Sequence, residues 1–312
     1  MNTRSEFDQP MFSIAAVERD TGLSKDTLRV WEKRYEFPVP ARDEFGERIY
    51  PTEQVEKLRM IKRLLDAGHR PGKIIKLSAD ELSSLAAVSS AGTLVRMPAD
   101  GVDELQDYLE LIKQGKSDEF KQTMSRLVLT RGLRRFVVDV VAPMNVLVGD
   151  AWARGYFEIF EEHLYTEVIQ VVLRNALSTI QTSFKGPRVL LTTLPNELHG
   201  LGLLMAECIF GIEGAHTISL GTQTPIYDIG LACQSKNVDV VALSFSSVQS
   251  SPAVVDAVME LKRNLPPNTE VWCGGASSAL RKRKSDDFIL LDTLDDIVSA
   301  VTNWRRRHPD RA

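Results

Sequence analysis

Apolar residues recur every three or four positions from Phe12 to about Asp66 and again from Glu104 to Phe184, while from Arg188 onward short apolar runs alternate with such periodic stretches. The first spacing is that of amphipathic helices, and the second is that of buried strands each followed by a helix. Near the N-terminus the pattern predicts a helix from Ile14 to Arg19, a tight turn at Gly22 and a second helix opening at Ser24, a good N-cap with Asp26 in the first turn. On that helix Leu28, Trp31 and Tyr35 form the inward stripe. Arg42 to Tyr50 reads as a small hairpin turning near Gly46, and Pro51-Thr52 opens a third helix running to about Asp66. Between 78 and 102 the chain is rich in Ser, Ala and Gly and reads as a linker. Four helices are expected at 103–114, 117–130, 132–149 and 157–183, enough for a bundle. Strands are expected near 188–194, 216–220, 238–244, 270–273 and 287–291. Short strands alternating with longer helices imply a doubly wound parallel sheet.

The fold class is therefore multidomain, α and α/β. It comprises a helix-turn-helix with a wing over 1–77, a linker over 78–102, a four-helix bundle over 103–185 and a Rossmann-like sheet domain over 186–312. Composition narrows the function classes. No run of 18 apolar residues occurs and the first residues lack a signal-peptide core, so a cytoplasmic protein without membrane contact is expected. Cys208, Cys233 and Cys273 are far apart in apolar segments, which suggests core residues rather than disulfides or a thiolate metal site. The net charge of -4 is unevenly shared: the first 76 residues hold 15 basic against 13 acidic side chains, so the remainder is the acidic part. That asymmetry points to a small DNA-facing module on an acidic body. The basic end Trp304-Arg305-Arg306-Arg307-His308 reads as a solvated helix terminus.

Within the module, Lys25, Arg29 and Lys33 recur at four residues and form a basic outer stripe, with Thr27 and Arg34 on the same helix. A short helix, a turn with Gly and a second helix of this kind suit entry into the major groove of double-stranded DNA. Arg42 and Arg48 flank the hairpin tip and Tyr50 follows. Ile14 through Tyr35, with Leu28-Arg29-Val30-Trp31-Glu32, together with Gly46-Glu47-Arg48-Ile49-Tyr50, resemble the winged DNA-binding domain of the MerR family. The resemblance implies phosphate contacts from the wing arginine and tyrosine. Gly68, Pro71 and Gly72 interrupt the long dimerisation helix usual in that family.

The sheet domain opens with the strand Arg188 to Leu194, then Glu197-Leu198-His199-Gly200-Leu201-Gly202 leads into a helix, which places His199 where open α/β sheets meet their ligands. A loop histidine alone is more often solvated than functional. After Gly202 come 41 residues, then Ser244-Phe245-Ser246, and further on Gly274-Gly275. This spacing resembles the signature of cobalamin-binding domains of the methionine-synthase type, with Glu197 in place of the usual Asp and Ser246 in place of the usual Leu. The resemblance implies His199 as lower ligand to cobalt, and Gly202, Ser244, Ser246, Gly274 and Gly275 around the cofactor's nucleotide tail. Trp152, nine residues, then Glu162-His163 further resembles the bundle that caps the upper face of cobalamin in the CarH/LitR type of light-responsive MerR regulators. Ala153 stands where a photoreceptor member has a histidine. The implied function is a repressor, not an enzyme, that binds operator DNA as an adenosylcobalamin-loaded homo-oligomer, dimer or tetramer, and is released by light. A light-independent regulator and a corrinoid methyl carrier are the alternatives, and the second leaves the winged helix unexplained.

Overall fold

The computed structural model describes residues 10–66, 69–82, 85, 102–153, 155–180, 185–246, 252–283 and 285–311. The linker region expected at 78–102 lies mostly outside them. The chain forms two compact units, Met1–Val95 with Leu147–Glu158, and Arg96–Val146 with Ile159–Ala312.

In the first unit, β1 (Met11–Ser13), α1 (Ile14–Thr21), α2 (Lys25–Tyr35), β2 (Ala41–Arg42), β3 (Arg48–Pro51), α3 (Thr52–Asp66) and the short α4 (Pro71–Ile74) follow one another. The helix boundaries have local causes. Ser13 caps α1, Gly22 ends it at φ +69, and the Ser24 hydroxyl accepts from the Thr27 amide to start α2. The strands pair antiparallel in the order β1-β3-β2, and the core gathers Val17, Leu28, Trp31, Tyr50, Val55, Leu58 and Ile61. In α3, Arg59 makes two hydrogen bonds to Asp20, at 2.8 and 3.0 Å, which fastens α3 to the end of α1.

The second unit joins a helical part to a sheet. α5 (Val102–Lys113) and α6 (Ser117–Arg131) precede a single turn, α7 (Leu133–Arg135), a π-helical stretch Phe136–Val141, α8 (Ala142–Ala153), which from Leu147 onward counts with the first unit, and α9 (Ile159–Ser178). The continuous third helix expected at 132–149 is thus interrupted: the wider π turn places Phe136, Val137, Val140 and Val141 all in the interior, a longer buried run than a uniform α-helix would provide. Gly155, at φ +73, stands between α8 and α9. Tyr165 is buried on α9 and donates to Asn145 Oδ1 at 2.5 Å, and Glu161 is buried in an ion pair with Lys113 at 3.1 Å.

Five parallel strands, β4 (Arg188–Thr192), β5 (His216–Gly221), β6 (Val240–Phe245), β7 (Glu270–Gly275) and β8 (Ile289–Leu291), lie in the order β5-β4-β6-β7-β8. The helices α10 (Leu201–Ile212), α11 (Ile226–Lys236), α12 (Pro252–Asn264), α13 (Ser278–Lys282) and α14 (Leu294–Arg307) alternate with them. Strand order reverses between β4 and β6, and that reversal opens a crevice at the carboxyl ends of these two strands. Leu190, Val241, Leu243, Val258, Leu261 and Val271 fill the core beside it. Arg134 ties the helical part to the sheet, donating to Glu213 at 2.9 Å and to Asp295 at 3.0 Å.

The three cysteines are buried and free, and burial pushes the thiols of Cys208 and Cys233 up to about 12. The basic end of α14 is more engaged than a solvated cap. Arg307 grips Glu270 at 2.6 Å, and Arg305 donates to the carbonyls of Lys185 and Glu213. Among the described residues no helix is long and apolar enough to cross a membrane.

Candidate functional site

The crevice between β4 and β6 is built around one carboxylate. The loop after β4 is held in place by threonines: Thr193 Oγ1 donates to the carbonyl of Glu197 at 2.8 Å and accepts from the Gln223 amide at 2.8 Å. This fold-back carries Glu197 inside, where it is 1% exposed. Its Oε1 accepts from the backbone amide of His199 at 3.0 Å and meets His199 Nδ1 at 2.7 Å. Its Oε2 accepts from the amide and the hydroxyl of Ser246 at 2.8 and 2.7 Å. Burial alone would push the carboxyl group up, but the hydrogen bonds from His199 and Ser246 outweigh it and hold it down at about 2. Glu197 is therefore a permanent anion at neutral pH, and it spans the strand reversal from the end of β4 to the end of β6.

The His199 side chain is 63% exposed with Nδ1 engaged by Glu197, so the imidazole is fixed in orientation and presents its ring edge outward. A histidine whose Nδ1 is held by a carboxylate is suited to bind a metal through Nε2. Small residues shape the neighbouring strand ends. A Cβ on Gly202 would come 3.1 Å from Ser244 Oγ. Gly275, at φ +105, leaves no room at all, since its Cβ would fall 2.1 Å from the Phe245 carbonyl oxygen. Ser244 pairs with Gly274 and Phe245 with Gly275 in the β6–β7 register. The structure thus gathers Glu197, His199 and Ser246 in direct contact, and sets Gly202, Ser244, Gly274 and Gly275 beside them. The residues present fit a group carrying a metal and a long tail.

The other three sequence-derived cofactor residues are placed differently. Glu162 and His163 open α9, with His163 Nε2 3.6 Å from Glu162 Oε2 and Thr166 donating to Glu162 Oε1 at 2.9 Å. Trp152 belongs to the first unit, half-buried, with the guanidinium of Arg63 5.7 Å from its ring centroid.

On the outer face of α2, Arg29, Val30, Lys33 and Arg34 are exposed. Arg29 pairs with Asp26 at 3.1 Å, and the Arg34 guanidinium lies over the Tyr35 ring. Lys25 stands 3.7 Å from Glu18, and the Thr27 hydroxyl is engaged with Ser24 at 2.8 Å. In the hairpin, Arg42 donates to the Gly46 carbonyl, and Arg48 is bound to Glu32 at 3.0 Å. Tyr50 departs from the expectation of a surface contact. Its ring is fully buried and its hydroxyl has no hydrogen-bond partner among the described residues, because alternation along β3 turns it into the core. Val30, 54% exposed, was not singled out from the sequence. An apolar side chain left bare between arginines on this face is suited to a thymine methyl group.

Comparison with known proteins identifies two regions of the chain. Residues 12–81 match the MerR HTH family regulatory protein model, and residues 104–176 match the B12 binding domain model. The HTH-type transcriptional repressor CarH of Myxococcus xanthus is 26% identical over 82% of this chain and 86% of its own length. The repressor CarA of the same organism is 25% identical over 96% of this chain and 98% of its own length. Among solved structures, the monomethylamine corrinoid protein of Methanosarcina barkeri superposes with a TM-score of 0.50 at 12% identity, covering 63% of this chain and 96% of that one, a likeness of fold. The chain thus carries a MerR-type helix-turn-helix domain and a B12-binding domain, and it is homologous to the repressors CarH and CarA over most of its length.

Proposed function

We propose that this cytoplasmic regulator is a repressor that grips operator DNA as an adenosylcobalamin-loaded homo-oligomer and lets go on illumination. The observation that carries the reading is Glu197, a buried anion that orients His199 on one side and Ser246 on the other at the strand reversal. In this reading His199 ligates the metal through Nε2 and Glu197 fixes its tautomer. Gly202, Ser244, Gly274 and Gly275 line the tail, while Trp152, Glu162 and His163 serve the upper face. When bound, adenosylcobalamin would supply a cobalt–carbon bond that visible light breaks. Lys25, Thr27, Arg29, Lys33 and Arg34 serve the major groove, and Arg42 and Arg48 the phosphates. Arg48 would then have to exchange part of its bond with Glu32 for a phosphate.

The test is to load the protein with adenosylcobalamin in the dark and record its visible spectrum, mass in solution and operator affinity before and after green light. The proposal expects all three to change, and expects His199→Ala to lose the cofactor or alter its spectrum. A cofactor that binds while mass and affinity ignore light supports a second reading, a light-independent cobalamin-responsive regulator. Ala153 favours that second reading, since an alanine cannot ligate a metal after the adenosyl group has gone.

A further inference from the structure

Arg63, on α3, is a cation that the core of the first unit has taken in: it is 7% exposed. Its guanidinium meets two neighbours of very different kinds. Its carbon stands 5.7 Å from the centroid of the Trp152 ring, and Nη2 meets Glu158 at 3.4 Å. Nε has no hydrogen-bond partner among the described residues. The chain after α8 is shaped around this group, because a Cβ on Gly155 would come 2.9 Å from Nη1. A buried guanidinium so incompletely hydrogen-bonded costs stability, and a well-packed apolar side chain of similar volume is often neutral or stabilising in such a place. Burial accordingly pulls its pKa down from the usual value, against the favourable charge of Glu158. The arginine therefore calls for a role beyond packing, and its distinctive contact is the aromatic face.

One helical turn earlier on α3, Arg59 holds Asp20 with two hydrogen bonds. Asp20 sits at the end of α1, just before the Gly22 turn that leads into α2. A single rigid helix thus carries two arginines, one against the indole and one against the turn of the helix-turn-helix.

We propose that Arg63 is the positioning residue of Trp152, and that the pair Trp152–Arg63, through α3, Arg59 and Asp20, carries cofactor occupancy to the DNA-reading helix. The proposal rests on the reading that Trp152 meets the cofactor. Arg63 holds the indole in one orientation, so a ligand packing against that indole biases the same α3 that orients the helix-turn-helix turn. Coupling of this kind is a free energy shared by two sites, and it disappears when the shared contact is removed even where both sites still bind.

The experiment uses the full chain with Arg63→Met, which keeps the apolar stem, and Arg63→Lys, which keeps the charge without the guanidinium. The first measurement needs no cofactor. Acrylamide quenching of the Trp152 fluorescence, isolated by subtraction of a Trp152→Phe variant, should rise about twofold in Arg63→Met as the indole loses its cation. The second is the ratio of operator affinities with and without adenosylcobalamin in the dark, on a duplex selected from a random pool. That ratio should collapse toward one, by about tenfold or more, in Arg63→Met and partly in Arg63→Lys, while operator affinity without cofactor stays within about threefold. A merely structural Arg63 would lower both affinities and leave their ratio as it was, which would overturn the proposal. Unchanged quenching would overturn it as well. If the unaltered protein shows no cofactor effect on operator affinity, the functional reading fails instead, and the quenching result still decides whether Arg63 holds Trp152.

Discussion

Two Glu–His pairs lie in the second unit, made of the same residue types and held in opposite ways. Glu197 meets His199 at 2.7 Å, with a carboxylate side chain 2% exposed and each of its oxygens accepting twice. Glu162 stands 3.6 Å from His163, its side chain 34% and the histidine 69% exposed. The first pair is fixed before any ligand arrives, because a buried carboxylate with four donors has no other place to go. The second is a pair in solvent, free to adjust around whatever it meets. Under the function proposed above, the difference suits a protein that must hold a cofactor constantly at one pair while sensing a change at the other. Pre-organisation at the ligating side lowers the cost of binding, whereas adaptability at the sensing side lets two states differ.

The pairs should break very differently. Glu197→Gln is expected to have the largest effect, since it removes the anion and turns an amide donor toward donors already present. With a folded pKa of about 2 against an unfolded value near 4.3, the carboxylate contributes roughly 3 kcal/mol at neutral pH. The folded value is depressed, so this contribution is fully present above about pH 4.3 and fades as pH falls toward about 2. Urea unfolding of the two proteins at pH 7 should therefore differ by roughly 3 kcal/mol, and the gap should narrow steadily between about pH 4.5 and 2.5. Cobalamin affinity should drop about 10- to 100-fold, the usual consequence of losing a group that orients a metal ligand. A gap that is small at pH 7 or insensitive to acid would mean that Glu197 is not the pre-organised anion described above.

Ser246→Ala sharpens the same point at a smaller scale. The hydroxyl bond to Glu197 is lost while the backbone amide of residue 246 still donates, so the expected destabilisation is about 1.5 to 3 kcal/mol, the range for a hydrogen bond to a charged group. A double variant with Glu197→Gln should cost less than the two single changes added together, because both act on one contact. Strict additivity in thermal or urea unfolding would separate Ser246 from the carboxylate and leave its position in the family signature without a physical reason.

What is legible in the sequence follows the range of the signal. The alternation of strand and helix after Arg188 and the helix-turn-helix with its caps are local periodicities, and the structure has them within a few residues of the expected bounds. The Glu197 and Ser246 partnership was not legible, because each looked like an isolated departure from the cobalamin signature. Only the strand order, which brings the ends of β4 and β6 side by side, makes the longer carboxylate and the hydroxyl answer each other. Tyr50 lies in the core rather than at the surface for a different reason. In a strand of four residues next to a turn, alternation says that neighbours face opposite ways but not which way the core lies. Arg63 looked like one more basic residue on an amphipathic helix, and its partner is 89 positions away. The π-helical stretch at Phe136–Val141 left no signature, since the apolar run there is compatible with either register.

The weakest expected effect belongs to the second pair, and its weakness is what makes it informative. Glu162→Gln removes a half-exposed carboxylate that meets an exposed histidine at 3.6 Å and a threonine one turn away. Such a pair contributes about 0 to 1 kcal/mol, so unfolding at pH 7 should shift by no more than about 0.5 kcal/mol and should do so less in high salt. Thr166 can still donate to the amide oxygen, so the first turn of α9 should keep its structure. If this pair is the adaptable, sensing side, the variant should bind cobalamins lacking the adenosyl group as the unaltered protein does, and lose preference only for the adenosyl form. Isothermal titration with adenosylcobalamin and with hydroxocobalamin separates the two cases. A stability loss comparable to that of Glu197→Gln would show that Glu162 is as firmly built in as its counterpart, and the contrast between a fixed and an adjustable pair would then have to be abandoned.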